Sequence, residues 1–530
     1  MFSLWRRTLL STLRQDKYNM NIRKNIAMMA AAAIAATITG CTDYDIQQDY
    51  NPLIDKPQTE EPAPEQPGEE ANSRNEQYRP QIHYTPAKNW INDPNGMIYL
   101  DGTYHLYYQY NPQGNGWGNL SWGHATSTDM LHWEEQPVAL QPDALGMIFS
   151  GSAVCDKDNT AGFGANAIVA LYTSASAAQQ QSIAYSHDGG KTFTTYEGNP
   201  VIKNNDDNLR DPKVFWHEES KKWIMSLAKG WAGGMEIWSS PDLKRWTKES
   251  EFVVNLTGRP SFQWECPDLI PFEYNGKRKW VLIVSVNPCG PVLGSGTMYF
   301  VGDFDGKHFT ADDLDYPLWL DYGMDNYAGV TWNNTGDRHV LIGWMNNWQY
   351  ADRVPCSPWR SAMTLPRELR LVEHNGTPHL TSAVIGEISG IADEWNDVTS
   401  TFDAKDAYQL HLELDLNSNS NITLSNAQGE KFSVDINVSS KMLSVHRNSA
   451  TGVTNFAPTF SIPSINAPLN TSGNKLTLDF YVDRSSVELI ASDGLTSVTN
   501  LVFPQTIYNS LSVTGTSYNA KVRNLRSVWK

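Results

Sequence analysis

The sequence has few cysteines, no excess of positive charge and no long apolar segment, and each absence disfavours a class of protein. None of the five cysteines among 530 residues forms a C-x-x-C pair, which argues against a zinc or thioredoxin motif. The formal net charge of −17 disfavours binding to nucleic acids or to anionic membranes. An apolar run from residue 26 to residue 38 is too short for a stable membrane-spanning helix. Sequence alone leaves open the disulfide state of Cys155, Cys266, Cys289 and Cys356.

The apolar run is part of a segment that is typical of an export signal. Arg23 and Lys24 precede the run, and Thr39 and Gly40 lead directly into Cys41. This layout is similar to a bacterial lipoprotein signal, so we expect residues 1–40 to be an N-terminal extension with a signal peptide and Cys41 to be lipidated. An ordinary secretory signal with an incidental cysteine is the alternative. Residues 41–80 are rich in Pro, Glu, Gln and Asn and predict a disordered tether. We therefore expect export and a lipid anchor on the surface of a Gram-negative bacterium.

The sequence is rich in aromatic residues and contains a repeat. It contains 19 Trp and 23 Tyr, whose rings fill cores and also stack on the apolar faces of sugars. Polar turns that close on an aromatic residue recur at Asp129, Asp188, Asp242 and Asp305, a spacing of roughly 55–60 residues that suits one propeller blade. Short strands lie between the turns, which predicts an all-β protein with a five-bladed β-propeller over residues 81–375. Residues 386–530 alternate polar and apolar side chains and predict a β-sandwich.

A second series of short motifs runs in phase with the first. Near the start of successive units stand residues 92–93, 149–152, 210–213, 265–268 and 327–329. The first strand of each propeller blade lines the central channel, so equivalent positions from five blades converge at one end of it. Each motif could instead mark a blade turn and nothing more. If they converge, Asp93, Asp211 and Glu265 meet in spite of their separation along the chain.

Asp93 stands in the most distinctive of these motifs, residues 90–96. Asp-Pro and Asn-Gly favour a tight turn, because Pro fixes φ and Gly accepts positive φ. A carboxylate held in such a turn beside Trp90 is the kind of group that enzymes use as a nucleophile. A simple hairpin turn is the alternative interpretation.

Taken together, these motifs resemble glycoside hydrolase family 32, the family of invertases, inulinases and levanases. The similarity covers nearly everything from residue 81 to the C-terminus. It is carried by residues 90–96, 107–112, 122–124, 149–152, 210–214, 265–269, 343–345, 365–369 and 483–488. The resemblance implies a five-bladed propeller with a C-terminal β-sandwich. It also implies hydrolysis of β-fructofuranosidic bonds with retention, without a metal or an organic cofactor.

The resemblance also implies roles for individual residues. Asp93 would be the nucleophile, Glu265 the general acid and base, and Asp211 the group that binds fructose hydroxyls and stabilises the transition state. Arg210 would orient the acid side of the pocket. The first fructose subsite would be lined by Asn92, Gln109, Trp117, Phe149, Ser150 and Trp344.

A surface tether favours a polymeric substrate, because a small disaccharide needs no capture at the surface. We therefore expect a monomer that acts on fructan polysaccharides or oligosaccharides, levan ahead of inulin, with no nucleic-acid partner and contact with a membrane only through Cys41. Three alternatives remain open at this point: an invertase acting mainly on sucrose, a non-catalytic glycan-binding propeller, and an inverting glycosidase of arabinan or xylan. The non-catalytic alternative predicts loss of the carboxylates, and all three are present.

Overall fold

The structure is a computed structural model that describes residues 74–205, 208–254, 262–471 and 473–529. The predicted signal peptide, Cys41 and most of the predicted tether lie outside these residues. The described chain is built almost entirely from β-strands, with short 3₁₀ turns at Gly230–Ala232, Gly386–Ile391, Ser449–Thr451 and Ser492–Gly494. No helix in the described ranges has the length and apolarity needed to cross a membrane.

The first three sheets are antiparallel and follow one another along the described chain, so each is a propeller blade. Blade one contains β1 (Asn89–Leu100), β2 (Thr103–Tyr110), β3 (Ser121–Ser127) and β4 (Glu134–Leu140). Blade two contains β5 (Met147–Asp156), β6 (Ala167–Ala175), β7 (Gln179–Ser186) and β8 (Thr194–Thr195). Blade three contains β9 (Arg210–His217), β10 (Lys222–Lys229), β11 (Gly234–Ser240) and β12 (Thr247–Val253).

Two further blades complete the propeller. Blade four contains β13 (Gln263–Tyr274), β14 (Lys277–Asn287), β15 (Gly296–Phe304), β16 (Phe309–Ala311) and β17 (Leu318–Trp319). Blade five contains β18 (Tyr327–Thr331), β19 (Val340–Met345), β21 (Ala362–Met363), β22 (Arg367–His374) and β23 (Thr377–Val384), whereas β20 (Trp359–Arg360) joins blade one. Blade five thus includes residues 377–384, which lie between the two domains as predicted from sequence. The predicted five-bladed propeller is confirmed.

The ring of blades closes through its innermost strands. These strands, β1, β5, β9, β13 and β18, each adjoin the next and return to the first. Residues 359–360 of β20, which follow the second strand of blade five, pair in parallel with Asn89 and Trp90 of β1. The Asn89 amide also donates a hydrogen bond to the Pro358 carbonyl at 2.8 Å. The segment that follows the second strand of blade five therefore ties the last blade to the first.

Each innermost strand breaks register with its neighbour, and the breaks fall in the motifs of the in-phase series. They lie between Ile91 and Pro94, Ile148 and Gly151, Arg210 and Lys213, Glu265 and Asp268, and Tyr327 and Val330. At three of them a non-glycine residue takes positive φ, namely Asp211 (62°), Cys266 (50°) and Ala328 (54°). A β-bulge bends a strand and redirects its side chains, so five equivalent bulges turn five sets of side chains toward one end of the channel.

The C-terminal part is a two-sheet sandwich, as predicted. One sheet has the order β24 (Asn396–Asp397), β34 (Tyr518–Asn524), β25 (Tyr408–Asp415), β30 (Lys475–Asp483), β31 (Ser486–Ala491) and β32 (Thr496–Leu501). The other has the order β29 (Ile462–Pro468), β28 (Met442–Arg447), β27 (Lys431–Asn437), β26 (Ser420–Ser425) and β33 (Ser510–Thr514). Buried positions alternate along β26, β27 and β28, because only one face of that sheet meets the core.

A buried ionic network joins the sandwich to the propeller. The His83 ring lies between two sandwich carboxylates, 2.7 Å from Asp483 Oδ2 and 2.7 Å from Glu488 Oε1. Arg367 of blade five also donates to Glu488, and the side chains of His83, Asp483, Glu488 and Arg367 are fully buried. Burial lowers the pKa of His83, but the hydrogen bonds with Asp483 and Glu488 outweigh burial and raise it to about 9. The motif at 483–488 is therefore a structural joint.

Candidate active site

Asp93 lies in the bulge of β1, where it is half-buried and its carboxylate accepts hydrogen bonds from neighbouring side chains. Asn92 Nδ2 donates to Oδ1 at 3.0 Å, and Ser150 Oγ donates to Oδ2 at 2.7 Å. Asn92 is itself fixed, because Trp90 Nε1 donates to its side-chain oxygen at 2.8 Å. Neighbouring blades thus hold the carboxylate in one orientation, as a reacting group requires.

Glu265 lies in the bulge of β13 and accepts hydrogen bonds from three side chains. Arg210 Nη1 and Gln263 Nε2 donate to Oε1 at 3.1 and 2.9 Å. Tyr327, from blade five, donates its hydroxyl to Oε2 at 2.5 Å. The carboxyl group keeps 18% of its side-chain surface exposed, so a substrate can reach it.

Cys266 shows how close the carboxyl groups of Asp93 and Asp211 lie to each other. Its Sγ is 3.5 Å from Asp93 Oδ2 and 3.7 Å from Asp211 Oδ2. Asp211 also accepts a hydrogen bond from the Cys266 backbone amide at 2.9 Å, and its own amide donates to Thr173 Oγ1 at 3.1 Å. The charges of Glu265 and Asp93 both act on Asp211, and the charge of Asp93 acts on Glu265. The structure therefore brings together the three carboxylates of the in-phase series.

Electrostatics make the three carboxyl groups retain protons more strongly than usual. Burial raises the pKa of Asp93, although hydrogen bonds from Ser150 and Asn92 oppose it. Burial also raises the pKa of Glu265. The positive charge of Arg210 opposes this shift, and the negative charge of Asp93 adds to it. The pKa of Asp211 is raised by burial and by the charges of Glu265 and Asp93. Crowded carboxyl groups of this kind supply one protonated acid beside an ionised neighbour.

Gln109 is buried, at 1% exposure, and its side chain reaches the Asn95 amide. The Asn95 side chain connects it to the site when its amide takes the orientation that satisfies both of its atoms. The oxygen then accepts from Gln109 Nε2 at 2.9 Å, and the nitrogen donates to Ser150 Oγ at 3.2 Å. Ser150 in turn donates to Asp93. A chain of hydrogen bonds through Asn95 and Ser150 therefore connects Gln109 to Asp93.

The aromatic residues that the resemblance implied divide into two groups. Trp117 and Phe149 are half-buried and meet edge to face, with ring centroids 6.1 Å apart. Trp344 is 0% exposed and donates its Nε1 hydrogen to the Ile91 carbonyl at 3.1 Å. The half-buried Trp348 ring packs on Trp344 with centroids 4.8 Å apart. Trp344 is thus buried against the strand that carries Asp93, and Trp348 is more exposed.

Sequence reasoning did not assign roles to four residues that contact the site. They are Asn95, Gln263, Cys266 and Tyr327. Asn95, Cys266 and Tyr327 belong to motifs already singled out, so their position in the in-phase series was an available signal. The sequence carried no comparable signal for Gln263.

Cys155, Cys266, Cys289 and Cys356 are free thiols. Among the described residues, no group of three or more His, Cys, Asp or Glu side chains is arranged to hold a metal ion. Within the site, Arg210 forms an ion pair with Glu265 at 3.1 Å.

The mouth of the propeller holds three carboxyl groups beside an arginine and aromatic rings. A site with closely spaced carboxyl groups of this kind is typical of glycoside hydrolases. The model of the glycosyl hydrolases family 32 N-terminal domain matches residues 83–382, and that of the family 32 C-terminal domain matches residues 382–529. The chain belongs to glycoside hydrolase family 32.

Relatives of known name agree with this assignment. The chain is 42% identical over 486 residues to a levanase of Bacillus subtilis, covering 86% of this chain and 71% of that protein. It is 39% identical over 527 residues to an extracellular exo-inulinase of Aspergillus niger, covering 85% and 95% of the two chains. The crystal structure of exo-inulinase from Aspergillus awamori superposes with a TM-score of 0.82 at 37% identity, over 86% of this chain and 100% of that one.

Proposed function

We propose that this protein hydrolyses β-fructofuranosidic bonds of fructans with retention of configuration. The observation that carries the proposal is that the Asp93 charge acts on the buried Glu265 carboxyl group, which Arg210 and Tyr327 hold in place by hydrogen bonds. Retention requires two carboxyl groups on opposite sides of one glycosidic bond, about 5–5.5 Å apart. Relatives named levanase and exo-inulinase support fructose polymers as the substrate class.

In the first step Asp93 attacks the anomeric C2 of the fructosyl unit. Protonated Glu265 gives its proton to the glycosidic oxygen, so the bond from C2 to that oxygen breaks and the leaving sugar departs with a hydroxyl group. Hydrogen bonds from Ser150 and Asn92 aim the Asp93 carboxylate and keep it ionised. The product of this step is a fructosyl ester of Asp93.

In the second step water replaces Asp93. Glu265, now ionised, removes a proton from the water as the oxygen bonds to C2, and the Asp93 carboxylate leaves. Arg210 and Tyr327 stabilise the ionised form of Glu265 between the two steps. Asp211 accepts hydrogen bonds from the sugar hydroxyls and opposes the positive charge that develops on the ring.

We propose a polymeric substrate, levan ahead of inulin, and an exported monomer anchored through Cys41. A tethered enzyme gains most from a substrate that is too large to be taken up directly. The named relatives support both linkages, since one is a levanase and the other an extracellular exo-inulinase. Labelled palmitate should be incorporated into wild type and lost in Cys41→Ala.

A single panel of substrates tests the activity. The protein is incubated with levan, inulin and sucrose, and products are separated by chromatography. Fructose released faster from levan than from inulin, and from both faster than from sucrose, is the expected result. Sucrose as the preferred substrate would make the protein an invertase, and binding without any product would make it a glycan-binding propeller. A proton NMR time course should show β-fructose as the first product, and α-fructose would contradict retention.

Two variants test the roles of the carboxylates. Asp93→Asn should fold normally and lose roughly 10⁴-fold in turnover, as loss of a nucleophile can produce. Glu265→Gln should lose much less activity on a fructoside with a good leaving group than on levan, because such a leaving group needs no proton. Equal losses on both substrates would remove Glu265 from the acid role.

A further inference from the structure

Two large apolar side chains are exposed together at the rim of blade three. Trp231 is 43% exposed and Val253 is 53% exposed. Among the described residues, the other large apolar side chain that is exposed is Trp395 of the C-terminal part, at 38%. Val253 pairs with Gly234, which follows the turn that carries Trp231. Neighbouring exposed apolar side chains mark a surface that contacts a ligand or partner more often than isolated ones do.

Trp231 lies on the same side of the channel as the proposed acid. It belongs to the turn that joins β10 to β11, and Ala228 at the end of β10 pairs with Arg210. The Trp231 amide donates to Asn208 Oδ1 at 2.7 Å, and Asn208 lies in the segment that leads into Arg210. Arg210 in turn holds Glu265 at 3.1 Å. A short path therefore connects the exposed indole to the acid.

The turn that carries Trp231 is held tightly. A methyl group added at Gly230 would collide with the Asn208 side-chain oxygen and would lie 3.8 Å from Arg210 Nη2. Gly233 ends the turn with φ of 62°, in the left-handed region that glycine accepts readily. The turn therefore packs directly on the segment that leads into Arg210, and this contact places the indole beside the proposed acid.

We infer that Trp231 is a stacking platform for the sugar unit on the leaving-group side of the scissile bond. The inference rests on the proposed function. The acid protonates the leaving oxygen, so the departing sugar must lie on the side of Glu265, which is also the side of Trp231. An indole face suits the apolar C–H face of a sugar ring. Trp231 is then a specificity-determining residue for chain-length preference.

The test compares Trp231→Ala with a matched control, Trp395→Ala, which removes an equally exposed indole from the C-terminal part. Methyl β-D-fructofuranoside has no sugar on the leaving side, whereas fructo-oligosaccharides, levan and inulin do. Trp231→Ala should lower kcat/KM on the oligosaccharides and polymers about tenfold, which corresponds to about 1.4 kcal/mol of lost binding. It should leave kcat/KM on the methyl fructoside within about twofold of wild type. Trp395→Ala should match wild type on every substrate.

Each result decides the question. Equal losses on the methyl fructoside and the oligosaccharides would mean that Trp231 only supports the fold, and no loss on either would mean that it contacts no sugar; both overturn the inference. Trp231→Phe should recover most of the lost kcat/KM, because a smaller aromatic face remains, and failure to exceed Trp231→Ala would contradict stacking. A wild type that cleaves none of the substrates would instead refute the proposed function, and the platform with it.

Discussion

The substitution Tyr327→Phe removes one hydrogen bond from the proposed acid and leaves the ring in place. Tyr327 is 1% exposed and its hydroxyl donates to Glu265 Oε2 at 2.5 Å. Burial keeps the pKa of Tyr327 well above its usual range, so the hydroxyl retains its proton. Burial raises the pKa of Glu265, and this hydrogen bond acts in the opposite direction because it favours the ionised form.

The size of the effect follows from the hydrogen bond. A hydrogen bond to a charged group contributes about 1.5 kcal/mol net, and about 1.4 kcal/mol corresponds to one pH unit. Loss of the Tyr327 hydroxyl should therefore move the alkaline limb of the kcat/KM profile upward by about one pH unit, because Glu265 keeps its proton longer. Turnover near neutral pH should change less than the position of the limb.

The assay is a pH profile of kcat/KM on a fructo-oligosaccharide. Tyr508→Phe is the control, since Tyr508 is equally buried and donates to the Thr451 carbonyl within the sandwich at 2.6 Å. Its profile should overlay that of wild type. An alkaline limb of Tyr327→Phe that stays in place, or moves to lower pH, would refute the assignment of Glu265 as the acid whose proton Tyr327 controls.

Three further predictions concern other contacts. Ser150→Ala removes a hydrogen bond that lowers the pKa of Asp93, so the acid limb of the same profile should move to higher pH, and an unmoved limb would contradict this. Iodoacetamide at neutral pH should leave activity intact and spare Cys266, because burial raises the pKa of its thiol well above the usual range. Of the four thiols in the described residues, half-buried Cys155 should react first, and peptide mass spectrometry measures the alkylation of each. Protonated His83 stabilises the joint between propeller and sandwich, because its pKa is raised from 6.5 to about 9. This stabilisation is complete below about pH 6.5 and is lost as pH rises through about 9. The fall in Tm across that window should be smaller in His83→Gln than in wild type, and equal falls would contradict the role of His83.

The meeting of the carboxylates could be predicted because a propeller repeats radially. Asp93, Asp211 and Glu265 are far apart along the chain, but each lies at the register break of an innermost strand. Equivalent positions in successive blades must approach the same axis, so a shared phase in sequence becomes proximity in space. The alternating pattern of the C-terminal strands predicted the sandwich for a similar reason, since one face of each sheet is buried.

The contacts within the site could not be predicted, because they depend on the backbone of each bulge. Positive φ at Asp211 and Cys266 determines where the thiol and the carboxylates point, and no pattern of residue types encodes that angle. Gln109 shows the same limit, because its hydrogen bonds with Asn95 could not be predicted from the sequence. The contact between His83 and Glu488 spans 405 positions, so only the folded chain reveals it.

The channel beneath the site explains why the carboxylates remain crowded. Lys213 of blade three forms an ion pair with Asp268 of blade four at 3.2 Å and also donates to the Thr331 carbonyl of blade five. Asn333 donates to backbone carbonyls of blades two and three at 2.8 and 3.1 Å. These buried bonds tie four blades together directly below the bulges, so the carboxyl groups cannot relieve their repulsion by moving apart. Burial raises the pKa of all three carboxyl groups, and the charges of Glu265 and Asp93 raise that of Asp211 further. The rigid fold thus keeps protons within the site, as the proposed reaction needs.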